Sequence, residues 1–162
     1  MDRVKESIMV LVAEDDPEDR MLIKEAWEEA MLANDMRFVE DGEELTDYLR
    51  RLGKYRDPAT SPRPGIILLD LNMPRKDGRE ALSEIKGDPD LKDIPVVVLT
   101  TSHTEEDIIA SYNLSVAGFI MKPPSFDRLV ETIHSIGVYW FDIVQLPPQK
   151  NHTPTQSPTA TS

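Results

Sequence analysis

Several residues of this chain stand where side chains do chemistry, each at the end of a short apolar run. Glu14-Asp15 follows Ile8-Met9-Val10-Leu11-Val12-Ala13. Asp70 follows Ile66-Ile67-Leu68-Leu69 and precedes Leu71-Asn72-Met73-Pro74. Thr100 and Thr101 close the run that begins at Pro95, and Lys122 closes Gly118 to Met121 and precedes Pro123. Unbroken apolar runs of this length read as strands buried on both faces. An acid at the carboxyl end of such a strand sits where open α/β sheets bind ligands. Asp70 therefore reads as a nucleophile, a metal ligand, or both. Carboxylates gathered at one edge repel each other, and a hard divalent cation that takes oxygen ligands relieves the repulsion. With that charge compensated, one Asp70 oxygen can attack phosphorus and form an aspartyl phosphate. The phosphoryl oxygens then need positive charge and hydrogen-bond donors around them. Lys122 supplies a compact cation, Thr100 a hydroxyl, and the backbone N–H groups after Asp70 further donors.

The elements that position these residues follow from pattern. Asp16-Pro17-Glu18-Asp19 starts a helix, with an aspartate cap, proline at the first helical position and acids in the first turn. Leu22, Ile23, Ala26, Trp27, Ala30 and Met31 recur at helical spacing, which places Trp27 in a core. Met36 to Val39 reads as a strand and Glu43 to Leu52 as a helix. Gly53 to Gly65 reads as a proline-rich loop. Gly78 to Ile85 reads as a helix, Ile94 to Thr100 as a strand and Glu105 to Asn113 as a helix. Gly118 to Met121 is the last strand, and a final helix starts at Phe126. Strand and helix thus alternate five times, the signature of a five-stranded parallel sheet, doubly wound, with helices on both faces. Right-handed crossovers bring every strand's carboxyl end to one edge.

Composition bounds the partners. The chain has 162 residues, with 30 acidic against 18 basic and a formal net charge of -12. Such a surface repels phosphate backbones and anionic lipid, so neither nucleic acid nor membrane is an expected partner. The absence of cysteine excludes disulfides, thiolate metal sites and cysteine catalysis. His103, His134 and His152 have no partners at metal-ligand spacing. The apolar runs are too short to span a bilayer, and the first residues lack the apolar core of a signal peptide, so a cytoplasmic protein is expected. Residues 1–7 read as an N-terminal extension, 8–146 as one domain, and 147–162, almost without apolar side chains, as a disordered polar tail.

Taken in order, Glu14-Asp15, Asp70 in Leu-Leu-Asp-Leu-Asn-Met-Pro, Gly78, Thr100 and Lys122-Pro123 resemble the receiver domain of two-component response regulators, over roughly residues 8–144. The resemblance implies a flavodoxin-like (βα)5 fold. It implies that Asp70 is the phosphoacceptor for a histidine kinase, and that Asp15, Asp70 and the Asn72 backbone carbonyl hold Mg2+, for which Mn2+ or Ca2+ can substitute. Glu14 matches the outer acid that acts through water. Thr100 matches the switch hydroxyl, Phe119 the switch aromatic and Lys122 the phosphate-binding lysine, with a cis Lys122-Pro123 bond. Further features resemble the small receivers that partner cyanobacterial and bacterial phytochromes. They are the proline-rich loop before Asp70, Leu99-Thr100-Thr101-Ser102, Lys86 to Ile94, and Tyr139-Trp140-Phe141 ahead of Leu146-Pro147. A phytochrome-type histidine kinase is the partner this implies. Asp16 departs from that pattern, where asparagine is frequent. Pointing inward, it adds charge beside the cation; capping the helix, it changes nothing.

Each of these residues also has an ordinary reading. Acids at a helix start are favoured by its dipole by about 0.3–1 kcal/mol, threonines suit strands, and an aromatic in a strand is a usual core residue. The convergence of all the strand ends favours the chemical reading. Phe126, Leu129, Val130, Ile133, Ile136, Gly137 and Trp140 form one helical face, enough to cover the sheet. Val138, Tyr139, Phe141, Ile143, Val144 and Leu146 fall outside it and need a second surface. A twofold homodimer through Tyr139, Trp140, Phe141, Ile143 and Val144 is the expected solution. Two other classes compete. A haloacid-dehalogenase-like phosphatase places a general acid two residues after its nucleophile, where this chain has Asn72. A constitutive adaptor would not need the acids, Thr100 and Lys122 together. A phosphoacceptor signalling domain, without enzymatic turnover, is the expected function.

Overall fold

The computed structural model describes residues 9–30, 35–71, 73, 75–100, 116–121 and 125–137, with Thr100 and Met121 described by backbone alone. The apolar runs form β1 (Val10–Ala13), β2 (Met36–Val39), β3 (Ile66–Asp70), β4 (Val96–Thr100) and β5 (Gly118–Met121). All pair in parallel, in the order β2-β1-β3-β4-β5. The helices described are α1 (Pro17–Glu29), α2 (Gly42–Arg50), α3 (Gly78–Gly87) and α4 (Phe126–Gly137). This is the doubly wound architecture that the alternation of patterns predicts. The expected helix over Glu105 to Asn113, the N-terminal extension, the polar tail and Tyr139 to Val144 lie outside the described residues.

The central strands are apolar on consecutive residues because each face of the sheet carries its own core. Leu11, Ala13, Ile67, Leu69, Val96 and Val98 pack against Leu45 and Tyr48 of α2 and Ala81, Leu82 and Ile85 of α3. Their neighbours Val10, Val12, Ile66, Leu68, Val97 and Leu99 face Ile23, Ala26 and Trp27 of α1 and Ile133 and Ile136 of α4. Successive side chains of a strand point to opposite faces, so a single run serves both layers. Each fully buried leucine or isoleucine contributes about 1.5–3 kcal/mol relative to exposure.

Helix starts follow the capping logic. The Asp16, Asp41 and Asp77 side chains accept from the backbone N–H groups of Glu18, Glu44 and Glu80. Two details differ from expectation. Leu22 has the helical spacing of the α1 stripe but lies at its edge, 41% exposed, beside an apolar cleft between α1 and α4. The proline-rich loop opens with a short 3-10 turn, Gly53–Tyr55, and is fastened to α2. The Tyr48 hydroxyl donates to the Pro62 carbonyl at 2.9 Å, and the Tyr48 and Tyr55 rings lie 4.9 Å apart.

Candidate functional site

Strand register assembles the acids. In the parallel pairing of β1 with β3, Ala13 stands opposite Leu69, so the chain leaves β1 at Glu14 beside Asp70 at the end of β3. Glu14, Asp15 and Asp70 each offer a carboxylate oxygen, and these oxygens lie within 4.8 Å of one another. Glu14 is 1% exposed and Asp70 4%, while Asp15 is partly open to solvent. Carboxylates this deep need compensating charge or donors. An all-oxygen set with an open side suits a hard divalent cation that keeps some of its water. The donor set present therefore fits such an ion.

The β1–α1 turn shows how the acids are aimed. The Asp16 N–H donates to Glu14 Oε2 at 3.3 Å, and Glu14 N–H to the Val39 carbonyl at 3.0 Å. Asp16 turns its own carboxylate to Glu18 N–H at 2.9 Å. Of its two expected roles it takes the cap. Arg20 Nη1 donates to the carbonyls of both Glu14 and Asp15, at 2.9 and 3.0 Å. Arg20 was not among the residues expected from sequence. The available signal was a lone cation in an otherwise acidic first helical turn.

On the far side of Asp70 the chain turns at once into α3. Gly78 N–H donates to the Leu71 carbonyl at 2.9 Å. A Cβ at Gly78 would lie 2.5 Å from the Asp70 carbonyl oxygen and 2.5 Å from Leu71 Cα. Close backbone approach is thus the reason for the glycine. Arg75 and Lys76, also missed from sequence, fasten this loop. Arg75 pairs with Asp41 at 3.1 Å, and Lys76 Nζ reaches Glu84 at 2.9 Å and Thr46 Oγ1 at 3.2 Å.

The remaining expected residues fall at the same edge or beyond the described set. Thr100 ends β4, one position past Leu99, the partner of Asp70 in the register. Its hydroxyl, together with Asn72, Lys122 and the Lys122-Pro123 bond, lies outside the described residues. Phe119 stands opposite Val98 on β5, half-buried against the core under α2 and α3. That is the face away from α1 and α4.

Comparison with known proteins agrees with this geometry. The response regulator receiver domain family model matches residues 10–134. Response regulator Rcp1 of Synechocystis is 43% identical over 139 residues, 86% of this chain and 92% of Rcp1. The phosphorylated cyanobacterial phytochrome response regulator RcpA superposes with a TM-score of 0.78 at 43% identity, covering 88% of this chain and 99% of RcpA. The Mn2+-bound form of Rcp1 gives 0.76 at 42% identity, over 87% of this chain and 99% of Rcp1. No helix among the described residues is long and apolar enough to cross a membrane. With the parallel sheet, the three acids at its carboxyl edge and these relatives in agreement, the chain belongs to the response regulator receiver family.

Proposed function

We propose that Asp70 receives a phosphoryl group from the phosphohistidine of a histidine kinase. The observation that carries this reading is the packing of Glu14 and Asp15 against the buried Asp70 carboxylate at the edge of the sheet. An Asp70 carboxylate oxygen attacks phosphorus, the bond from phosphorus to the kinase imidazole breaks, and its electron pair stays with that nitrogen. The product is an acyl phosphate on Asp70. Asp15 and Asp70, with the Asn72 carbonyl, would hold Mg2+, and Glu14 would act through water. When bound, that ion offsets the clustered negative charge and orients a phosphoryl oxygen. Mn2+, present in the related Rcp1 structure, or Ca2+ can substitute. Lys122 balances the phosphoryl charge. Thr100 and Phe119 respond to it, shifting the population between two surface states.

The kinase is of the phytochrome type in this reading. Support comes from RcpA, a phytochrome response regulator, at 43% identity. The domain spans residues 8–146, between the extension 1–7 and the polar tail 147–162, and works in the cytoplasm as a homodimer. The dimer contact uses Tyr139, Trp140, Phe141, Ile143 and Val144, whose apolar character exceeds what one helix face can bury. A monomer by sedimentation at micromolar concentration, with and without phosphorylation, removes the dimer.

Incubation with acetyl phosphate and Mg2+, followed by intact mass, tests the central reading. A single hydroxylamine-labile phosphate adduct on the parent, absent from Asp70→Asn, is expected. Steady turnover of assorted phosphate esters would instead assign a phosphatase. No adduct under any condition would assign an adaptor.

A further inference from the structure

We infer that Arg20 is the positioning residue of the acidic cluster: its guanidinium, bonded to the Glu14 and Asp15 carbonyls, sets the direction in which Asp15 presents its carboxylate to a divalent cation. This rests on the reading of Glu14, Asp15 and Asp70 as a cation site.

The argument is one of backbone geometry. The Glu14 carbonyl belongs to the planar peptide unit that ends at Asp15 N, and the Asp15 carbonyl to the unit that begins at Asp15 C. These two units flank the Asp15 Cα. Arg20 Nη1 grips both, at 2.9 and 3.0 Å. Fixing both planes fixes the two soft dihedrals of Asp15, and with them the Cα–Cβ vector on which its carboxylate is carried. The neighbouring acid is fixed separately. Glu14 Oε2 accepts from Asp16 N–H at 3.3 Å, and the Glu14 N–H is tied to β2 through the Val39 carbonyl at 3.0 Å. The Asp16 N–H bond to Glu14 also holds the plane that follows Asp15 Cα, but Arg20 is bonded to the planes on both sides of it.

The placement of Arg20 runs against the ordinary preference of a helix. A cation in the first turn faces the positive end of the macrodipole, where Glu18 and Asp19 are favoured. Two carbonyl acceptors offset that. Arginine also fits better than lysine. Its planar fork sends Nη1 to the carbonyls while Nη2 stands 3.6 Å from Glu40 Oε2, just past β2. The side chain is 20% exposed, so water competes only weakly for these bonds. Arg20 thereby ties the carboxyl ends of β1 and β2 together beneath the cluster.

The sign of one measurement separates positioning from charge. Removing a nearby cation strengthens the attraction of the remaining carboxylates for a metal ion. Removing a positioning group weakens binding. Mn2+ is titrated into the full chain without phosphodonor, and the free ion is followed by electron paramagnetic resonance. Parent, Arg20→Met, Arg20→Lys and Asp15→Asn are compared, with circular dichroism confirming the fold. Arg20→Met is expected to bind Mn2+ at least tenfold more weakly than parent, with Arg20→Lys in between. Equal or tighter binding by a folded Arg20→Met overturns the inference. Should that variant fail to fold, Arg20→Lys decides: threefold or greater weakening supports positioning, and parental affinity overturns it. A parent that binds no better than Asp15→Asn overturns the cation site itself, and this outcome is distinct from a failure of Arg20.

Discussion

Asp41 and Arg75 meet at 3.1 Å across the gap between the start of α2 and the loop that follows β3. Asp41 caps α2 by accepting from Glu44 N–H at 2.7 Å, and its other oxygen takes the Arg75 guanidinium. Arg75 has a backbone φ of 62°, a conformation unusual for a residue with a side chain. Tertiary contacts sustain it. Gly42 lies against the Lys76 carbonyl so closely that a Cβ there would be 1.9 Å from the oxygen. The loop leading away from Asp70 is therefore pinned to α2 by an ion pair, a backbone contact and the Lys76–Thr46 hydrogen bond, while Lys76 also reaches Glu84 of α3.

A double-mutant cycle measures this brace. Asp41→Asn keeps a capping oxygen and removes the charge, while Asp41→Ala removes both and is expected to cost about 1–2 kcal/mol. Arg75 is largely exposed, so the ion pair is screened. A coupling of about 0.5–1 kcal/mol between Asp41→Asn and Arg75→Gln in urea unfolding is the expected result. Coupling below about 0.2 kcal/mol would mean that the backbone contact at Gly42 and the Lys76 contacts hold the loop without the ion pair.

The brace also shows where sequence reasoning stops. β1, β3 and β4 were legible because both faces of each strand are buried, which leaves a run that needs no partner to be recognised. Glu14, Asp15 and Asp70 were legible because a parallel sheet gathers strand ends regardless of their separation in sequence. Arg20, Arg75 and Lys76 were not. Their partners are backbone carbonyls or side chains on other elements, and no local spacing marks such contacts. Leu22 misled because helical spacing reports a stripe but not its width. Phe119 was rightly placed in a strand. Which core it joins depends on the parity of β5 in the register, and only pairing reveals that.

Alkaline pH provides a test of the packing of the proline-rich loop. Burial, and then the hydrogen bond that its hydroxyl donates to Glu44, push the Tyr55 phenol well above its ordinary value. Lys54 sits over the same ring at 5.3 Å and pairs with Glu44 at 3.6 Å, while burial raises Tyr48 beside it. A raised phenol binds its proton more tightly in the folded state than in the unfolded one. Its contribution is fully present below the unfolded value near 10 and is lost as pH rises from there toward the folded value. Tyr55→Phe should therefore be less stable than parent at pH 8, and the gap should narrow steadily above pH 10. Urea unfolding at a series of pH values reads this directly. A gap that stays constant through pH 11 would show that the Tyr55 proton is not coupled to folding.

Gly78→Ala sets helix preference against the approach of two backbones. On propensity alone, alanine is favoured over glycine within a helix by about 1 kcal/mol. Gly87, the last residue of α3, gives the control, because a Cβ there meets nothing within 4 Å. Gly87→Ala is expected to be neutral or stabilising by up to about 1 kcal/mol. At Gly78 the new Cβ would stand 2.5 Å from the Asp70 carbonyl oxygen and from Leu71 Cα, which are backbone atoms and cannot swing aside. Such overpacking costs about 1–3 kcal/mol and outweighs the propensity gain. Because the displaced atoms belong to Asp70 and Leu71, the larger effect should fall on the site. Gly78→Ala is expected to remain folded, yet to take up phosphate from acetyl phosphate at least tenfold more slowly than Gly87→Ala, by intact mass under identical conditions. Equal rates in the two variants would show that the peptide of Asp70 tolerates displacement, and that the glycine serves the start of α3 alone.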